Sequence, residues 1–343
     1  MKEITIASIL KGCTPGRMQS VGFMQIIPLL SDIVDDSFEA PIGNIEASTG
    51  DYGTLNVKNL GNAPTIFPTG GAVMSKQTAQ NHSSPKGIFM KGRGSYTTKQ
   101  ARCIQDSQGG SIRSDSDYHM SILPWAMREF ATMTKNSTSY QELWPVIKEF
   151  NQELGLLNKG HLELFLQGFD KQLSTFIAEF EIVPKMVGAI ILLNGDVIGV
   201  ERTPNYKYWK SIWEPLIRES YGSVAIWFAK KFGKNTPPPK MRVPLASANI
   251  NSIKDILDEL KKVEAKEDER VKNVLKGFIK TKFQRDVEQQ EMNISFETIK
   301  NRQFIGQALH KEDGFPYVSM VTTAAWMKNP NAANFTDAAD FSM

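Results

Sequence analysis

The segment MVGAIILLNGDVIGVER, residues 186–202, constrains the fold of this chain more than any other stretch. Two apolar runs flank Asn194-Gly195. Asn-Gly is the preferred pair for a type I′ hairpin turn, because both central residues of that turn need a positive φ. The run at 186–193 is uncharged and apolar apart from one glycine, which is typical of a buried strand. We therefore predict a β-hairpin with strands at 186–193 and 197–201.

Short β-like runs and helical patterns surround this hairpin. Residues 1–120 are rich in Gly, Ser, Thr and Asn, and TLNVKN (54–59) alternates with the period of a strand. Apolar residues at helical spacing follow in 121–181 and again after the hairpin. This order predicts an α+β fold with a β-rich N-terminal layer, packed helices and two C-terminal β-hairpins.

The C-terminal part contains a charged stretch and a second hairpin pattern. Pro215 lies inside a helical pattern and marks a kink or a junction. Residues 252–286 have the composition of a long charged amphipathic helix, and Glu312-Asp313-Gly314 is a turn between two strand-like runs. We expect a single domain over 1–325. Its parts are a β-rich part (1–120), helices with the first hairpin (121–235), a Pro-rich loop and charged helical insertion (236–290) and a closing hairpin (291–325), followed by a loose tail (326–343).

Composition narrows the classes of function. The 343 residues carry a net charge of only +3, so a nucleic-acid interface would need local clustering of cations. No window approaches the 18 apolar residues of a membrane span, and the N-terminal apolar run is too short for a signal peptide. Cys13 and Cys103 allow at most one disulfide, so a reducing cytoplasm is the simpler assumption. Cys103 lies in a strand-like run and is expected to be an inert buried thiol.

Familiar catalytic and metal motifs do not appear in the sequence. It contains no Gly-x-Ser-x-Gly, His-Glu-x-x-His, Cys-x-x-Cys or kinase signature, so it identifies neither a catalytic residue nor a cofactor. Asp115, Asp117 and His119 alternate along a strand-like run, but two carboxylates and one histidine are a weak metal set. We expect no metal site.

A basic segment at 91–102 allows two interpretations. Lys91, Arg93, Lys99 and Arg102 could form a phosphate-binding nest or an edge that faces nucleic acid. The alternative, an exposed β-edge whose cations prevent pairing with other sheets, is favoured. We therefore regard nucleic acid as an unlikely partner.

Residues 76–81, which we call the signature loop, follow a strand-like run and a Gly-Gly turn. They contain Lys76, Gln77 and Asn81 and no acidic residue. Lys76 could hold a phosphate or carboxylate as a point charge, and the two amides could orient a base, sugar or peptide. The competing interpretation is a solvated loop whose amides satisfy its own backbone.

The order of these motifs resembles the ARG-and-rhodanese-phosphatase-associated protein (ARPP) family, a domain of unknown function, over residues 20–325. The first half of the resemblance comprises Leu55-Asn56-Val57-Lys58-Asn59, Pro64, Gly70-Gly71, Lys76-Gln77, Asn81 and Cys103-Ile104-Gln105. The second half comprises Val187-Gly188-Ala189-Ile190, Asn194-Gly195, Gly199, Gly306-Gln307-Ala308-Leu309-His310 and Tyr317-Val318-Ser319-Met320. The family's Lys-Gln-Asn-Arg becomes Lys-Gln-Thr78-Ala79 here, and its Cys-x-Glu ends in Gln105.

The resemblance implies a nucleotide-type or ADP-ribose-related anionic ligand. Lys76 would neutralise phosphate, Gln77 and Asn81 would orient the ligand, and Arg93 and Arg102 would meet a second anion. The departures from the family pattern leave a different class of function open: a protein-interaction or adaptor protein that keeps the fold without catalysis. Its contacts would be made through 252–286 or the C-terminal tail, and its composition resembles that of proteins from large bacteriophages.

Overall fold

The computed structural model describes residues 4–75, 80–106, 109–113, 117–233, 253–278, 282–291, 293–312 and 314–323. Helices and antiparallel strands segregate along the chain, which confirms the predicted α+β class. The helices of the described chain are α1 (Ile6–Ile9), α2 (Trp125–Met133), α3 (Leu143–Glu153), α4 (Leu162–Gly168), α5 (Asp170–Ala178), α6 (Tyr206–Trp213), a π-helix (Glu214–Tyr221), α7 (Gly222–Phe232) and α8 (Ile253–Phe278).

Strands form one large sheet and three small ones. The first twelve strands are β1 (Thr14–Pro15), β2 (Gln19–Val21), β3 (Met24–Leu30), β4 (Ile45–Thr49), β5 (Leu55–Asn59), β6 (Thr65–Phe67), β7 (Gly71–Ser75), β8 (His82–Ser83), β9 (Ile88–Met90), β10 (Ser95–Thr98), β11 (Arg102–Cys103) and β12 (Tyr118–Ile122). The last six are β13 (Met186–Leu193), β14 (Asp196–Arg202), β15 (Gln284–Glu291), β16 (Ile294–Lys300), β17 (Phe304–Lys311) and β18 (Gly314–Thr322).

The large sheet has the order β1-β3-β13-β14-β18-β17-β16-β15, and β2 also pairs with β3. The small sheets are β10-β5-β4, β11-β8-β7-β12 and β6-β9. All strand pairs in these sheets are antiparallel. The N-terminal β-rich layer therefore consists mainly of the small sheets, apart from the first strands, which join the large one.

The predicted Asn-Gly hairpin is formed by β13 and β14, two interior strands of the large sheet. Asn194 and Gly195 have φ of 53° and 96°, as a type I′ turn requires. A register shift between Ile191 and Leu192 marks a β-bulge in the pair. The closing hairpin of β17 and β18 is present at the predicted place, with Glu312 at φ 53°.

Apolar cores cover both faces of the large sheet. One core packs the sheet against α2–α7, the π-helix and parts of the small sheets. The other contains residues of α1 and Val271 of α8 on the opposite face. Arg202, on β14, donates to the carbonyls of Ile9 and Lys11 and so fastens the N-terminal segment to the sheet.

One row of polar side chains crosses the large sheet on the face that carries α2. The row follows the strand register through Glu201, Ser319, Gln307, Thr298 and Asp286. Arg128 on α2 contacts one end, donating to Glu201 and Ser319 over 2.7 and 2.6 Å. Lys135, just beyond α2, binds Asp286 at the other end. The helix is thus positioned on the sheet by ion pairs two turns apart.

Side-chain amides attach the β6-β9 pair to the large sheet. Gln307 Oε1 accepts hydrogen bonds from Gly87 N and Thr69 Oγ1. Gln289 accepts from Phe89 N and donates to Phe89 O, as a paired strand backbone would. The β-rich layer that bears the signature loop is therefore fixed to the sheet by buried polar contacts.

Two regions differ from the sequence prediction or refine it. The charged helix predicted over 252–286 ends at Phe278, and 284–291 form the edge strand β15. Polar and charged residues such as Gln284 and Glu291 suit an edge strand that is half exposed, which is why the sequence did not distinguish it from the helix. Pro215 lies at the start of the π-helix, so the predicted interruption is a change of helix type.

Candidate functional site

The ends of the signature loop are joined by the side chain of Asn81. Its Oδ1 accepts a hydrogen bond from Ser75 N, at the end of β7, over 2.7 Å. Gln80 N donates to Gly110 O, and Asn81 O accepts from Ile104 N. The described end of the loop is therefore held on two sides, by the 109–113 segment and by the chain that follows β11.

The five residues expected at the site have different positions. Lys76 and Gln77 lie outside the described residues. Asn81 is buried and bonded to the backbone of β7. Arg102 is fully buried and donates to the carbonyls of Gln100, Ser137 and Thr134. Arg93 is exposed, has φ 60°, and donates to Asn62.

The two arginines therefore have different positions relative to the signature loop. Arg102 and Ser83 are cross-strand partners between β11 and β8, so Arg102 lies close to the loop in the chain fold. Its guanidinium also lies 3.4 Å from a carboxylate oxygen of Glu142. Arg93 belongs to the turn before β10 and contacts the 61–62 turn through its backbone and side chain. In this structure the described hydrogen bonds of both arginines are to protein groups.

A histidine and a cysteine lie side by side directly after the loop. His82 on β8 and Cys103 on β11 are cross-strand partners, which places their side chains on the same face of the strand pair. Both are almost fully buried, at 1% and 0% exposure. Cys103 Sγ contacts Gln105 O at 3.1 Å, and His82 Nδ1 lies 2.9 Å from Gln80 O.

The ionisation of this pair is set mainly by burial. Burial raises the pKa of the Cys103 thiol, and hydrogen bonds to Gln105, Trp144 and Gln80 offset only part of that effect. Burial also lowers the pKa of His82, against a smaller opposite effect of the Gln80 carbonyl. A neutral thiol is a poor nucleophile. The predicted inert, buried character of Cys103 agrees with this environment.

Several buried acceptors in this region have no hydrogen-bond partner among the described residues, and two of them lie on the side chains of His82 and Gln105. His82 Nδ1 must carry the proton that it donates to Gln80 O, so Nε2 of the neutral ring is an acceptor. Nε2 has no partner among the described residues, and neither has Gln105 Oε1. Gln105 donates from Nε2 to Glu163 over 3.3 Å. Buried polar atoms are nearly always paired. These two acceptors are therefore able to receive hydrogen bonds from hydroxyl or amino groups of a ligand.

The wall behind these acceptors is built from the 104–106 and 160–162 segments. Gln105 and His161 form an isolated β-bridge, and Asp106 N donates to Gly160 O. The Asp106 carboxylate lies 2.7 Å from His161 Nε2 and 3.3 Å from Lys148 Nζ. The Asp106 carboxylate therefore has partners on His161 and on Lys148 of α3.

The set at 115–119, which the sequence analysis considered too weak for a metal site, is only partly described. Asp115 lies outside the described residues, and His119 pairs with Met74 in the β12-β7 ladder. Within the part of the chain that the structure describes, no group of three or more His, Cys, Asp or Glu side chains has metal-binding geometry. None of its helices is long and apolar enough to cross a bilayer.

Comparison with protein families places this loop and its surroundings in a known domain. The profile of the ARPP-1 family, the ARG and Rhodanese-Phosphatase-superfamily-associated Protein domain, matches residues 12–304. The chain belongs to the ARPP-1 family. No curated protein and no solved structure matches this ARPP-1 chain.

The match confirms the resemblance seen in the sequence and covers most of the chain. It includes the signature loop, the Asn-Gly hairpin and the π-helix, and it ends at residue 304, where β17 begins. The structure adds His82, Asp106 and Trp144 to the neighbourhood of the loop. Only the alternation of β8 and β11 could have indicated His82, and both strands are two residues long.

Proposed function

We propose that this ARPP-1 protein binds a nucleotide-type or ADP-ribose-related anionic ligand at the signature loop. The observation that carries the proposal is the pair of unfilled buried acceptors, His82 Nε2 and Gln105 Oε1, beside the loop. Acceptors of this kind match donor groups such as ribose hydroxyls. A phosphate would be met instead by a cation, and Lys76 is the residue of the loop that supplies one.

The roles of the other predicted residues change under this proposal. Asn81 orients the loop through its bond to Ser75 N and does not need to contact the ligand itself. Arg102 supports the strand that carries Cys103, because its guanidinium is bonded to three backbone carbonyls. Arg93 remains a surface cation for a second anionic group. Gln77 would orient the ligand beside Lys76.

Binding, not nucleophilic catalysis, is the function that this chemistry favours. The Cys103 thiol has a raised pKa, and the Asp106 carboxylate is bonded to His161 and Lys148. A nucleophile requires a base within hydrogen-bonding reach and an ionisable group near its working pH. The neutral His82 imidazole is better suited to accepting a hydrogen bond from a ligand.

A substitution at Gln105 tests the proposal sharply. Gln105→Met keeps the size of the side chain and removes both the unpartnered acceptor and the donor to Glu163, so the free energy of unfolding should fall by no more than about 1–2 kcal/mol. Ligand stabilisation should nevertheless be lost, because the acceptor is gone. In the wild type, ADP-ribose at a hundred times its Kd should raise the free energy of unfolding by about 2.7 kcal/mol.

Thermal unfolding with and without ADP-ribose, NAD, ADP and inorganic phosphate provides the measurement. Gln105→Glu, which restores the acidic residue of the family pattern, serves as the matched variant that keeps two acceptors. Stabilisation of the wild type that survives in Gln105→Met would contradict the role given to this acceptor. Absence of stabilisation of the wild type by every compound would contradict the proposed function.

A second candidate function, protein interaction through α8, is favoured by one observation. The helix spans Ile253–Phe278, and among its described side chains Val271, Val274 and Leu275, in the last two turns, pack against the second core. Leu257, near its start, is 52% exposed. A charged helix that packs through its last turns and exposes Leu257 suits an interaction arm of the kind an adaptor, phage-encoded or otherwise, would use.

The test of this second candidate must leave β15 in place. Deletion of 252–286 would remove the first residues of an edge strand, so replacement of Leu257 and of exposed charges between 257 and 269 is the better variant. Capture of a defined partner by the wild type and its loss in this variant, with unchanged ADP-ribose binding, would support the adaptor function. Equal capture by both proteins would exclude α8 as the contact.

A further inference from the structure

A cleft of about 580 Å³ opens at one end of β15 and β16, where β16 turns into β17. The described residues that line it are Lys282, Phe283, Gln284, Lys300, Asn301 and Arg302. Three of these six side chains are cations, and none is acidic. We call this feature the cationic cleft. Its lining residues belong to the large sheet and are separate from the signature loop.

Protection of a sheet edge does not account for all of these cations. Lysines often lie on edge strands, where they prevent pairing with another sheet. Lys282 precedes the edge strand β15 and suits that role. Lys300, in contrast, ends β16, which is an interior strand paired with both β15 and β17, and Arg302 lies in the turn between β16 and β17. Two of the three cations therefore need another reason to share one cleft.

Backbone contacts gather the three cations at the cleft. Asn301 donates from Nδ2 to Lys282 O over 3.1 Å. Its Oδ1 accepts from two N–H groups of the hairpin turn that carries Arg302. Arg302 O accepts from the Thr323 hydroxyl over 3.2 Å, and Lys300 is held by the pairing of β16 with its two neighbours. The fold thus brings these like charges together before any ligand binds.

The first carboxylate along β15 is paired with a cation outside the cleft. Lys135 lowers the pKa of Asp286 through a hydrogen bond and its charge, and Lys300 adds a smaller effect. Lys135 Nζ lies 2.5 Å from the Asp286 carboxylate. The described lining of the cleft therefore carries more positive than negative charge. A cleft with walls of one sign concentrates the potential and attracts ligands of the opposite sign.

We propose that the cationic cleft binds a chain of phosphates, as found in tripolyphosphate or a nucleoside triphosphate. Arginine contacts phosphate oxygens through a planar fork, and lysine acts as a point charge. The volume of the cleft is in the range of sites for small organic ligands, which is larger than a single phosphate needs. A chain of phosphates can meet Lys282, Lys300 and Arg302 together. This inference does not depend on the proposed function.

Calorimetric titration of tripolyphosphate into the full-length chain tests the inference. The cleft variant, Lys300→Ala with Arg302→Ala, should bind tripolyphosphate about tenfold or more weakly than the wild type, because two charged donors are lost. The matched control, Lys207→Ala with Lys210→Ala, removes two exposed cations of α6 and changes the net charge equally. It should bind tripolyphosphate within about twofold of the wild type, because distant surface charges are screened by salt.

A parallel titration with ATP distinguishes the two sources of the phosphate chain. A similar loss of ATP and tripolyphosphate affinity in the cleft variant would support recognition of the chain in either compound. A loss for tripolyphosphate alone would assign the cleft to an inorganic chain.

Three results would overturn the inference. One is a wild-type protein that binds neither compound, and another is a cleft variant that binds tripolyphosphate as tightly as the wild type. The third is an equal loss in the cleft variant and the α6 control, because net charge alone would then explain the binding. Circular dichroism confirms that these variants of exposed residues are folded.

ADP-ribose separates this inference from the proposed function. The cleft variant should bind ADP-ribose like the wild type, and Lys76→Ala should bind tripolyphosphate like the wild type. Loss of ADP-ribose binding in the cleft variant would overturn the assignment of two separate sites. Failure of ADP-ribose to bind the wild type would contradict the proposed function and leave the result for tripolyphosphate unaffected.

Discussion

Asn81 Oδ1 accepts a hydrogen bond from Ser75 N over 2.7 Å and so joins the last residue of β7 to the end of the signature loop. Asn81 is 1% exposed, so this bond is protected from water. The position predicted as a ligand contact thus has a structural task that the sequence pattern did not reveal. The bond fixes Ser75 and Asn81 relative to each other.

The first prediction concerns this bond. Asn81→Ala leaves the buried Ser75 N–H without its acceptor, so the free energy of unfolding should fall by about 1–3 kcal/mol. Chemical denaturation measures the change. Ser83→Ala is the matched control, because Ser83 is buried two residues later and its hydroxyl has no hydrogen-bond partner among the described residues. The control should change the free energy of unfolding by less than about 0.5 kcal/mol. An equal loss of stability in both variants would contradict the structural role assigned to the hydrogen bond between Asn81 and Ser75.

A second prediction concerns the ion pair beneath α2. Arg128 and Glu201 are each 2% exposed, and Tyr221 donates to the same Glu201 oxygen that Arg128 contacts. Burial lowers the pKa of Arg128, but the charge of Glu201 outweighs this and the net pKa is raised, so the guanidinium stays charged. Arg128→Met should cost about 3–5 kcal/mol, because it leaves an unpaired buried carboxylate.

The double variant distinguishes the pair from simple loss of packing. Arg128→Met with Glu201→Gln should cost clearly less than the sum of the two single changes, because neither charge is then left alone. Lys185→Met serves as the surface control, since Lys185 and Asp32 are 64% and 79% exposed, and it should change stability by less than about 1 kcal/mol. Urea unfolding of the wild type and the four variants provides the measurement. Strict additivity of the Arg128 and Glu201 changes would contradict this account.

The third prediction is a pH dependence caused by Glu219 in the π-helix. Burial raises the pKa of Glu219 from 4.5 to about 7, although hydrogen bonding to Ser121 and the charge of Arg218 oppose the shift. The folded protein therefore holds this proton more tightly than the unfolded chain does. The contribution of Glu219 to the free energy of unfolding should fall as pH rises from about 4.5 through 7.

Glu219→Gln should remove this loss. The variant should match the wild type near pH 4.5 and be more stable than it at pH 8, by about 1–3 kcal/mol. Glu297 offers a control of opposite sign. Burial raises its pKa, but hydrogen bonds from Arg285 and Ser295 outweigh this and lower it, so its stabilisation is lost as pH falls below the ordinary range. Denaturation from about pH 2 to 8 checks both slopes, and a Glu219→Gln curve parallel to the wild type would contradict the assignment.

A fourth prediction compares two glycines of β14 and its turn. A Cβ at Gly199 would lie 1.9 Å from Tyr221 Oη, the hydroxyl that donates to Glu201. Gly195 has a positive φ, and no described atom lies within 4 Å of the point that a Cβ would occupy there. Gly195→Ala should therefore cost about 1 kcal/mol from backbone strain alone, and Gly199→Ala should cost more than that. Similar Tm values for the two variants would contradict the steric role of Gly199.

Much of the fold follows from local signals in the sequence. The Asn194-Gly195 pair specifies a tight turn, because both residues adopt a positive φ. The uncharged apolar run at 186–193 predicts a strand that is buried inside a sheet. These signals do not depend on distant residues. The helix predicted through 286 was wrong at 284–286, because β15 is stabilised by pairing with β16 and by Lys135, neither of which local sequence reveals.

The candidate site was less accessible to sequence reasoning. Its position was indicated by the family pattern, but the bonding of Asn81 and Arg102 depends on backbone groups of other segments. Likewise, the pairing of His82 with Cys103 results from two strands of two residues each, which give no periodicity. Contacts that depend on tertiary structure in this way cannot be predicted from spacing along the chain.

The central claim, that an anionic nucleotide-type ligand binds at the signature loop, is tested most directly by calorimetric titration of ADP-ribose into three proteins. These are the wild type, Lys76→Ala and Lys58→Ala, the last an exposed lysine of β5 that serves as the matched control. We expect one binding site in the wild type, a loss of about tenfold or more in Lys76→Ala, and unchanged affinity in Lys58→Ala. Absence of binding to the wild type, or equal affinity in Lys76→Ala, would contradict the claim.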